Sequence, residues 1–580
     1  MVRYTGQSVF LKITLFFILI FAIGLAGCGA PQPLLSGQEP VNPLDLVHRV
    51  WQGEKPAFSV KGKIEGAIVA VYGPNGKIGG AGFLADNFSS AVTGATLALR
   101  EKYASSLPPD GLRFSVHLLR NAKSLKWAWL RELGVGYSRG LYALIRFSGD
   151  RSFGFSDTDL HVAGYALPEA VEKLGQNEGT PISGTAARKG LYLARTESYT
   201  EDGAGGVVRL YRASTLLPAV DSAAIRQACR AGGDYLCRIL QDDDQFLYEG
   251  DLGRDKYKTT YNVLRHEGTT YALYQLYLAT REERYRLAAD KAWSWVLKQI
   301  RSDTDKAGRQ CSFPIEDKQV KLGGTGLALI ALSERLKVQS TPGDLRLGMQ
   351  LANHILRSQN PDGSFESYWP YKGRKAKKYR SIYYPGEALL GLMRFYELKP
   401  DPEYLACAER GAHYFIHERW RLLGMEFSVP PDAWLMLALN ELHKVHPRKD
   451  YADYCLRIAD AMAADQLLAG WQVPYPDYRG GYFPYPPNVT PAGSRMEGLT
   501  AAYRLATRAN RDTRPLRRVI AEAARFQIER QIRPAFVHLY PNPARAIGAF
   551  RDSPISNDIR IDFNQHNISG LLVAAEILKP

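Results

Sequence analysis

From residue 218 to the C-terminus the apolar positions fall into two alternating kinds of helical text. The first kind is small and apolar on nearly every side: RHEGTTYALYQLYLA from 265, KLGGTGLALIALSE from 321, YYPGEALLGLMRFYE from 383, PPDAWLMLALNELH from 430, SRMEGLTAAYRLA from 494 and DFNQHNISGLLVAAEIL from 562. A helix apolar all round has to be buried, whereas one with a single apolar stripe faces water. Six segments of that second kind run between the first: AAIRQACRAGGDYLCRIL, YRLAADKAWSWVLKQI, LRLGMQLANHILRSQ, YLACAERGAHYFIHERW, YADYCLRIADAMAADQ and PLRRVIAEAARFQIERQ. The alternation predicts a repeated two-helix unit, with six inner helices inside six outer ones. An outer helix comes first and the sixth inner helix comes last, so the twelve close a ring without a remainder.

Loop lengths separate the two rims. Inner-to-outer connections such as LKPDP and VHPRKD are short, while outer-to-inner ones are long, at 301–320, 359–382, 467–493 and 532–561. Long loops on a rigid scaffold are where binding and catalysis concentrate, and this rim is also where the inner helices begin. The alternation over 218–580 resembles the (α/α)6 toroid of six-hairpin glycosidase-like enzymes, shared in related forms by terpenoid cyclases. QNPDGSF at 359–365 is similar to the Q-x-x-D-G-x-aromatic turn of such rings. The resemblance implies an all-α ring used for carbohydrate metabolism, but the function has to be argued from the site.

Residues 42–215 are mixed. EGAIVAVYGPNGKIGG reads as a hairpin turning at Pro74-Asn75-Gly76, NFSSAVTGATLALREKYA as a helix, and LRFSVHLL and GLYALIRFSG as further strands, which predicts an α+β domain. The chain is thus a multidomain protein, an α+β domain followed by an all-α toroid. The order of these pieces, ending in YSRGLYALIRFSGDRSFGF and LPEAVEKLGQNEG, resembles the AMMECR-type domain. That family carries Arg-Gly-Cys after the hairpin turn, where this chain reads Gly79-Gly80-Ala81. The family's candidate nucleophile is absent, which implies a structural or docking role. His117 and His161 read as ordinary residues.

Residues 1–27 carry Arg3 and Lys12, an apolar run from Ile13 to Leu25 and then LAGC ending at Cys28. A short apolar run closed by small residues reads as a signal peptide. The tetrapeptide resembles the bacterial lipobox, which implies a lipid, palmitate included, on Cys28 and a tether over 28–41. The expectation is a protein anchored in the bacterial cell envelope, at the outer membrane or the periplasmic face of the inner one. Removing Arg3 and Lys12 with the leader lowers the formal charge from +15 to +13, a basic field that favours anionic partners. Cys229, Cys237, Cys311, Cys407 and Cys455 form no disulfide or zinc spacing and read as small buried hydrophobes. No nucleic-acid-binding motif is present.

The starts of the inner helices concentrate polar groups: Arg265, His266 and Glu267; Thr325; Glu387; Asp432; Arg495 and Glu497; Asp562, Gln565 and His566. A carboxylate in a first turn also caps free amides and favours the dipole by ~0.3–1 kcal/mol, but Arg and His recur beside the acids, where the dipole disfavours them. Glu387, Asp432 and Glu497 are the carboxylates expected to act as acid and base, with His266 and His566 as further catalytic candidates. Two carboxyl groups suit glycoside hydrolysis. A Tyr or His beside a neutralising Arg suits proton abstraction next to a uronic carboxylate, and Tyr261, His266, Arg495 and His566 can supply it. Substrate contacts are expected from Arg265, Glu267, Tyr261, Arg495, Asp562 and Gln565. The basic loop YKGRKAKKYR adds Lys375 and Lys377, and the aromatic loop WQVPYPDYRGGYFPYPP adds Trp471 and Tyr482. The expected partner is a polysaccharide, with an acidic one favoured by the basic loop. Hydrolysis stands ahead of lyase or epimerase chemistry, and non-catalytic glycan binding is the alternative. No cofactor is implied, and no ligand spacing calls for a metal.

Overall fold

A computed structural model of the chain describes residues 42–56, 65–85, 87–107, 110–125, 139–148, 151–177, 190–372, 380–419 and 429–579. The chain forms two units. The first takes in the described residues up to Leu216 together with 468–479 and 534–539; the second takes in 217–467, 480–533 and 540 onward.

The second unit is the toroid. Its outer helices are α1 (Ser222–Ile239), α3 (Glu283–Gln299), α5 (Pro342–Arg357), α7 (Pro402–His413), α9 (Lys449–Ala464) and α11 (Arg514–Arg530). Its inner helices are α2 (Val263–Thr280), α4 (Leu322–Val338), α6 (Tyr384–Leu398), α8 (Ala433–Val445), α10 (Val489–Arg508) and α12 (Ile561–Ile577). Each inner helix packs on the next, and α12 packs on α2 to close the ring. α4 is buried along nearly its whole length, whereas α5 buries only a stripe that includes Leu351, Ala352 and Ile355. Small residues set the inner spacing. A Cβ on Gly326 of α4 would sit 2.6 Å from the backbone carbon of Glu387 on α6, and one on Gly386 would sit 2.7 Å from the backbone nitrogen of Leu435 on α8. Nothing larger than glycine fits those contacts without moving a helix.

The outer ring is tied by a device used three times. Gln359, just past α5, donates through Nε2 to the carbonyl of Cys407 on α7 at 2.8 Å. Gln466, past α9, donates to the carbonyl of Val519 on α11 at 3.0 Å and to that of Gly480 at 3.2 Å. Gln531, past α11, donates to the carbonyl of Ala228 on α1 at 2.8 Å and to that of Gly548 at 3.1 Å. A glycine with positive φ accompanies each glutamine: Gly363, Gly480 and Gly548. A Cβ on any of the three would come within 2.4 Å of a carbonyl oxygen of the next outer helix, that of Arg410, Glu522 or Ala231. The QNPDGSF turn is therefore one compact case of a clamp between successive outer helices, and the Gln531 case joins the last of them to the first.

Short links at 281–282, 339–341, 399–401, 446–448 and 509–513 connect inner to outer helices, and the long segments lie at the other rim. Two small sheets build part of that rim, one of four strands between Ile300 and Pro370 and one of three that joins 249–257 to 558–560.

In the first unit seven antiparallel strands follow the order β3-β1-β2-β5-β4-β6-β7: β1 (Glu65–Gly73), β2 (Gly76–Ala85), β3 (Arg113–Ser124), β4 (Tyr142–Ser148), β5 (Arg151–Phe155), β6 (Leu191–Glu201) and β7 (Val207–Leu210). β3 also pairs with β6, so the first six strands close on themselves. On β1, Ala67, Val69 and Val71 pack with Leu99 of the helix Phe88–Tyr103, while Ile68 packs with Leu119, Ile145 and Ala194. Burial on both faces explains its continuous apolar text. His117 belongs to a buried polar network and is not an isolated residue. Its Nδ1 lies 2.9 Å from Asp157 Oδ1 and its Nε2 3.0 Å from Ser115 Oγ. That order of groups also activates serine nucleophiles, but Ser115 is fully buried and donates to Tyr72 OH at 3.3 Å, so the network holds the fold. Trp471 lies in this unit and is 79% exposed. Tyr475 and Tyr478 flank the Arg212 guanidinium at 4.2 and 5.4 Å, and Arg212 pairs with Asp477 at 3.0 Å.

The clamp makes a testable claim. Gln531→Ala removes the side-chain donor from the Ala228 carbonyl and leaves the Gly548 carbonyl with Asn564 Nδ2 at 3.3 Å, and it should lower stability to urea by about 1–3 kcal/mol. Gly343→Ala, in the first turn of α5 where a Cβ meets nothing closer than 3.9 Å, should be neutral or slightly stabilising in the same measurement.

Candidate functional site

The N-terminal ends of the inner helices, over their first two turns, surround a cavity of about 500 Å³ at the long-loop rim. All six helices contribute to its wall: Arg265 and Gly268 from α2, Leu327 from α4, Tyr384 and Glu387 from α6, Ala433 and Trp434 from α8, Ser494 and Arg495 from α10, and Asp562, Gln565 and His566 from α12. Glycines make room for the larger groups. A Cβ on Gly323 would fall 2.1 Å from Glu387 Oε2, and one on Gly493 2.9 Å from the His566 Cβ.

His566 and Glu497 form a part-buried pair, with Nδ1 2.7 Å from Oε2. The other carboxylate oxygen, Oε1, accepts from Tyr271 OH at 2.8 Å and from Gln565 Nε2 at 3.3 Å. Burial works against the imidazolium, but the Glu497 charge and its hydrogen bond outweigh it and raise the His566 pKa above the ordinary value. With Nδ1 committed to Glu497, Nε2 is the nitrogen left to exchange a proton with a bound molecule.

Glu387 has the opposite setting. Its carboxyl is buried, Oε2 has no hydrogen-bond partner among the described residues, and the nearby Asp432 adds like charge. Burial first and Asp432 second push its pKa up to about 8, so it holds its proton at neutral pH. Asp432 is also buried and is raised to about 7, held back by hydrogen bonds from the start of α8 and by the Arg419 charge. It caps α8, accepting from the Leu435 amide at 3.1 Å, and lies behind the cavity wall.

Two arginines reach the cavity. Arg265 is engaged, through Nε to Asp562 at 3.2 Å and through NH1 to Tyr248 OH at 2.7 Å. Asp562 is also held by Arg560 at 2.6 Å. Arg495 is 9% exposed and lies over the Tyr482 ring at 4.6 Å.

Of the residues expected at the site, Glu387, Arg265, Arg495, Asp562, Gln565 and His566 line this cavity, and Glu497 supports it from behind. Others do not reach it. His266 points outward: Nε2 lies 2.9 Å from the Ala292 carbonyl, Nδ1 2.6 Å from Tyr261 OH, and the ring stacks on Trp295 at 4.4 Å. Burial lowers its pKa to about 4, so His266 and Tyr261 join α2 to the outer helix α3. Glu267 is buried away from the cavity, and burial raises its pKa well above the usual range. Tyr482 is buried beneath Arg495 instead of forming an open platform, and Trp471 belongs to the first unit. Lys375, Lys377 and Cys28 lie outside the described residues. Sequence reasoning missed Tyr271, Tyr384 and Trp434. Tyr271 sits a turn past the polar start of α2, and the other two read as ordinary core aromatics.

No protein-family model and no curated protein matches this chain. Among solved structures it is similar to a D-mannose isomerase, at 14% identity and TM-score 0.47, over 61% of this chain and 97% of that one. A cellobiose 2-epimerase from Bacillus thermoamylovorans B4167 is similar at 12% identity and TM-score 0.47, over 61% and 99%. An alpha-1,6-mannanase from Salegentibacter sp. HEL1_6 is similar at 12% identity and TM-score 0.44, over 61% and 99%.

Because the folded pKa of Glu387 is raised, the folded chain keeps a proton that the unfolded chain sheds above about 4.5. Its contribution to stability is full below that pH and is lost as pH rises through about 8. Glu387→Gln should therefore stabilise the toroid by up to about 3 kcal/mol at pH 7 and by almost nothing at pH 4, read from urea unfolding at both pH values.

Proposed function

We propose that the toroid cavity is an acid–base active site acting on a saccharide, with Glu387 as proton donor and His566 as base. The observation that carries this reading is one cavity lined both by a protonated carboxyl on α6, whose Oε2 has no partner among the described residues, and by an imidazole on α12 backed by a carboxylate. Matching an acid and a base near the working pH is what proton transfer requires. Glu497 orients the imidazole through Nδ1, and Tyr271 and Gln565 fix Glu497. Trp434, Tyr383 and Tyr384 give the cavity apolar faces beside its polar groups, a mixture suited to sugar rings, and its volume suits a small oligosaccharide or the end of a chain.

The pairing favours proton abstraction from a sugar carbon beside a carbonyl or carboxylate, followed by return of a proton or loss of a leaving group. His566 Nε2 takes the carbon-bound proton, and Glu387 gives its own to the developing oxyanion or departing oxygen. Glycoside hydrolysis is the second reading. The protonated Glu387 is fit to protonate a glycosidic oxygen while His566 takes a proton from the attacking water. Against it, hydrolysis normally uses two carboxyl groups, and Glu497 is committed to three partners.

The first unit is proposed as a non-catalytic module, since Gly79, Gly80 and Ala81 on β2 offer no nucleophile. Anchoring of the chain to the cell envelope through a lipidated Cys28 is likewise proposed, on the LAGC motif.

Glu387→Gln and His566→Gln should each lower kcat about 10²–10⁴-fold with smaller effects on KM, over a panel of neutral and uronic oligosaccharides. Wild-type activity should rise as pH passes the raised His566 value and fall as Glu387 ionises near 8. Solvent deuterium entering a sugar C–H position marks proton abstraction, new reducing ends without it mark hydrolysis, and binding without turnover overturns the enzymatic reading. Cys28→Ser should abolish labelling by palmitate and release the protein from membranes, and unchanged partitioning would refute the anchor.

A further inference from the structure

Arg495 differs from every other charged group at the cavity. The residue is 9% exposed, yet NH1 has no hydrogen-bond partner among the described residues. NH2 reaches only Asp465, at 3.4 Å, and that side chain is 54% exposed, so water screens most of the pairing. Arg265, on the same wall, spends its donors on Asp562 and Tyr248. Glu387 adds no negative charge at neutral pH, and Glu497 spends both oxygens on His566, Tyr271 and Gln565. A buried cation with open donors costs stability unless a ligand satisfies it. The Tyr482 ring beneath it, 4.6 Å from the guanidinium carbon, holds the fork in place without using its N–H groups.

We infer that Arg495 is the anchor for a carboxylate on the substrate, so that the saccharide taken by this cavity carries a uronic acid residue at the subsite between Arg495 and His566. The inference rests on the acid–base reading above and gives it a substrate class. A guanidinium accepts a carboxylate through two parallel N–H···O bonds, a geometry a neutral hydroxymethyl group cannot reproduce. Neutralising that carboxylate also makes the proton on the adjacent carbon easier to remove, by stabilising the charge that develops as His566 takes it.

The test is calorimetric binding to the full-length protein of tetrasaccharides of galacturonate, glucuronate and mannuronate, each beside its carboxyl-reduced neutral counterpart. At least one acidic tetrasaccharide should bind ten-fold or more tighter than its counterpart. Arg495→Gln should erase that preference, bringing acidic and neutral members to equal affinity, and Arg495→Lys should keep only part of it. Asp465→Asn, at a half-exposed position outside the wall, should tighten acidic binding several-fold, which keeps the test decisive if Arg495→Gln fails to fold. Neutral and acidic members bound equally, or a preference that survives Arg495→Gln, would overturn the uronate assignment and leave the acid–base reading standing. No binding of any saccharide would overturn both.

Discussion

Closure of the ring is the constraint on which the site depends. Arg265 and His566 lie some 300 positions apart in sequence, and they share a wall only because α12 packs on α2. Gly268 faces Gln565 at that seam, where a Cβ would stand 3.2 Å from the amide oxygen, and Gln531 ties α11 to α1 outside it. Each glutamine clamp adds only about 1 kcal/mol net, but a carbonyl left without its donor in the interior costs more than the bond contributes. A closed ring also leaves no unpaired inner face, so all six helix starts are held at fixed positions around one opening.

At that opening two electrostatic effects compete, and their sizes decide the outcome. The helix N-termini favour negative charge by ~0.3–1 kcal/mol each, which would keep Glu387 and Asp432 ionised. Burial is the larger effect: raising Glu387 from 4.5 to about 8 corresponds to several kcal/mol at 1.36 kcal/mol per pKa unit. Glu387 therefore meets the cavity as a neutral donor. Glu497 escapes the same fate because His566, Tyr271 and Gln565 all bond to its oxygens. Two glutamates, Glu387 in the first turn of α6 and Glu497 two turns into α10, thus become an acid and the support of a base, separated by their partners.

The helical ring was legible because its two burial patterns differ over many residues, and Glu387, Arg495 and His566 were legible as polar groups placed where apolar helices begin. The direction of each side chain was not. His266 and Glu267 stand beside Arg265 in the sequence, yet successive helical positions turn about 100°, which sends His266 toward Trp295 on the outer ring. The Glu497–His566 pair spans 69 positions and leaves no local trace. Only one of the three glutamine clamps was visible in sequence, because the other two place 13 and 16 residues between glutamine and glycine, against three in QNPDGSF. The aromatic loop misled for a related reason: composition suggested an open platform, whereas Tyr482 is buried under a cation and Trp471 belongs to another unit.

Unsatisfied polar atoms are costly, and where they occur in the wall is informative. Glu387 and Arg495 both line the cavity, and the buried Oε2 of the first and NH1 of the second lack partners among the described residues. The inner-to-outer links at the opposite rim are two to five residues long and leave little chain with which to build a site. A fold selected for stability alone would have replaced both groups with apolar side chains, which the surrounding packing accepts more readily. Their presence at the rim with long loops is the physical reason to read the cavity as a place where a proton and a negative charge are handled together.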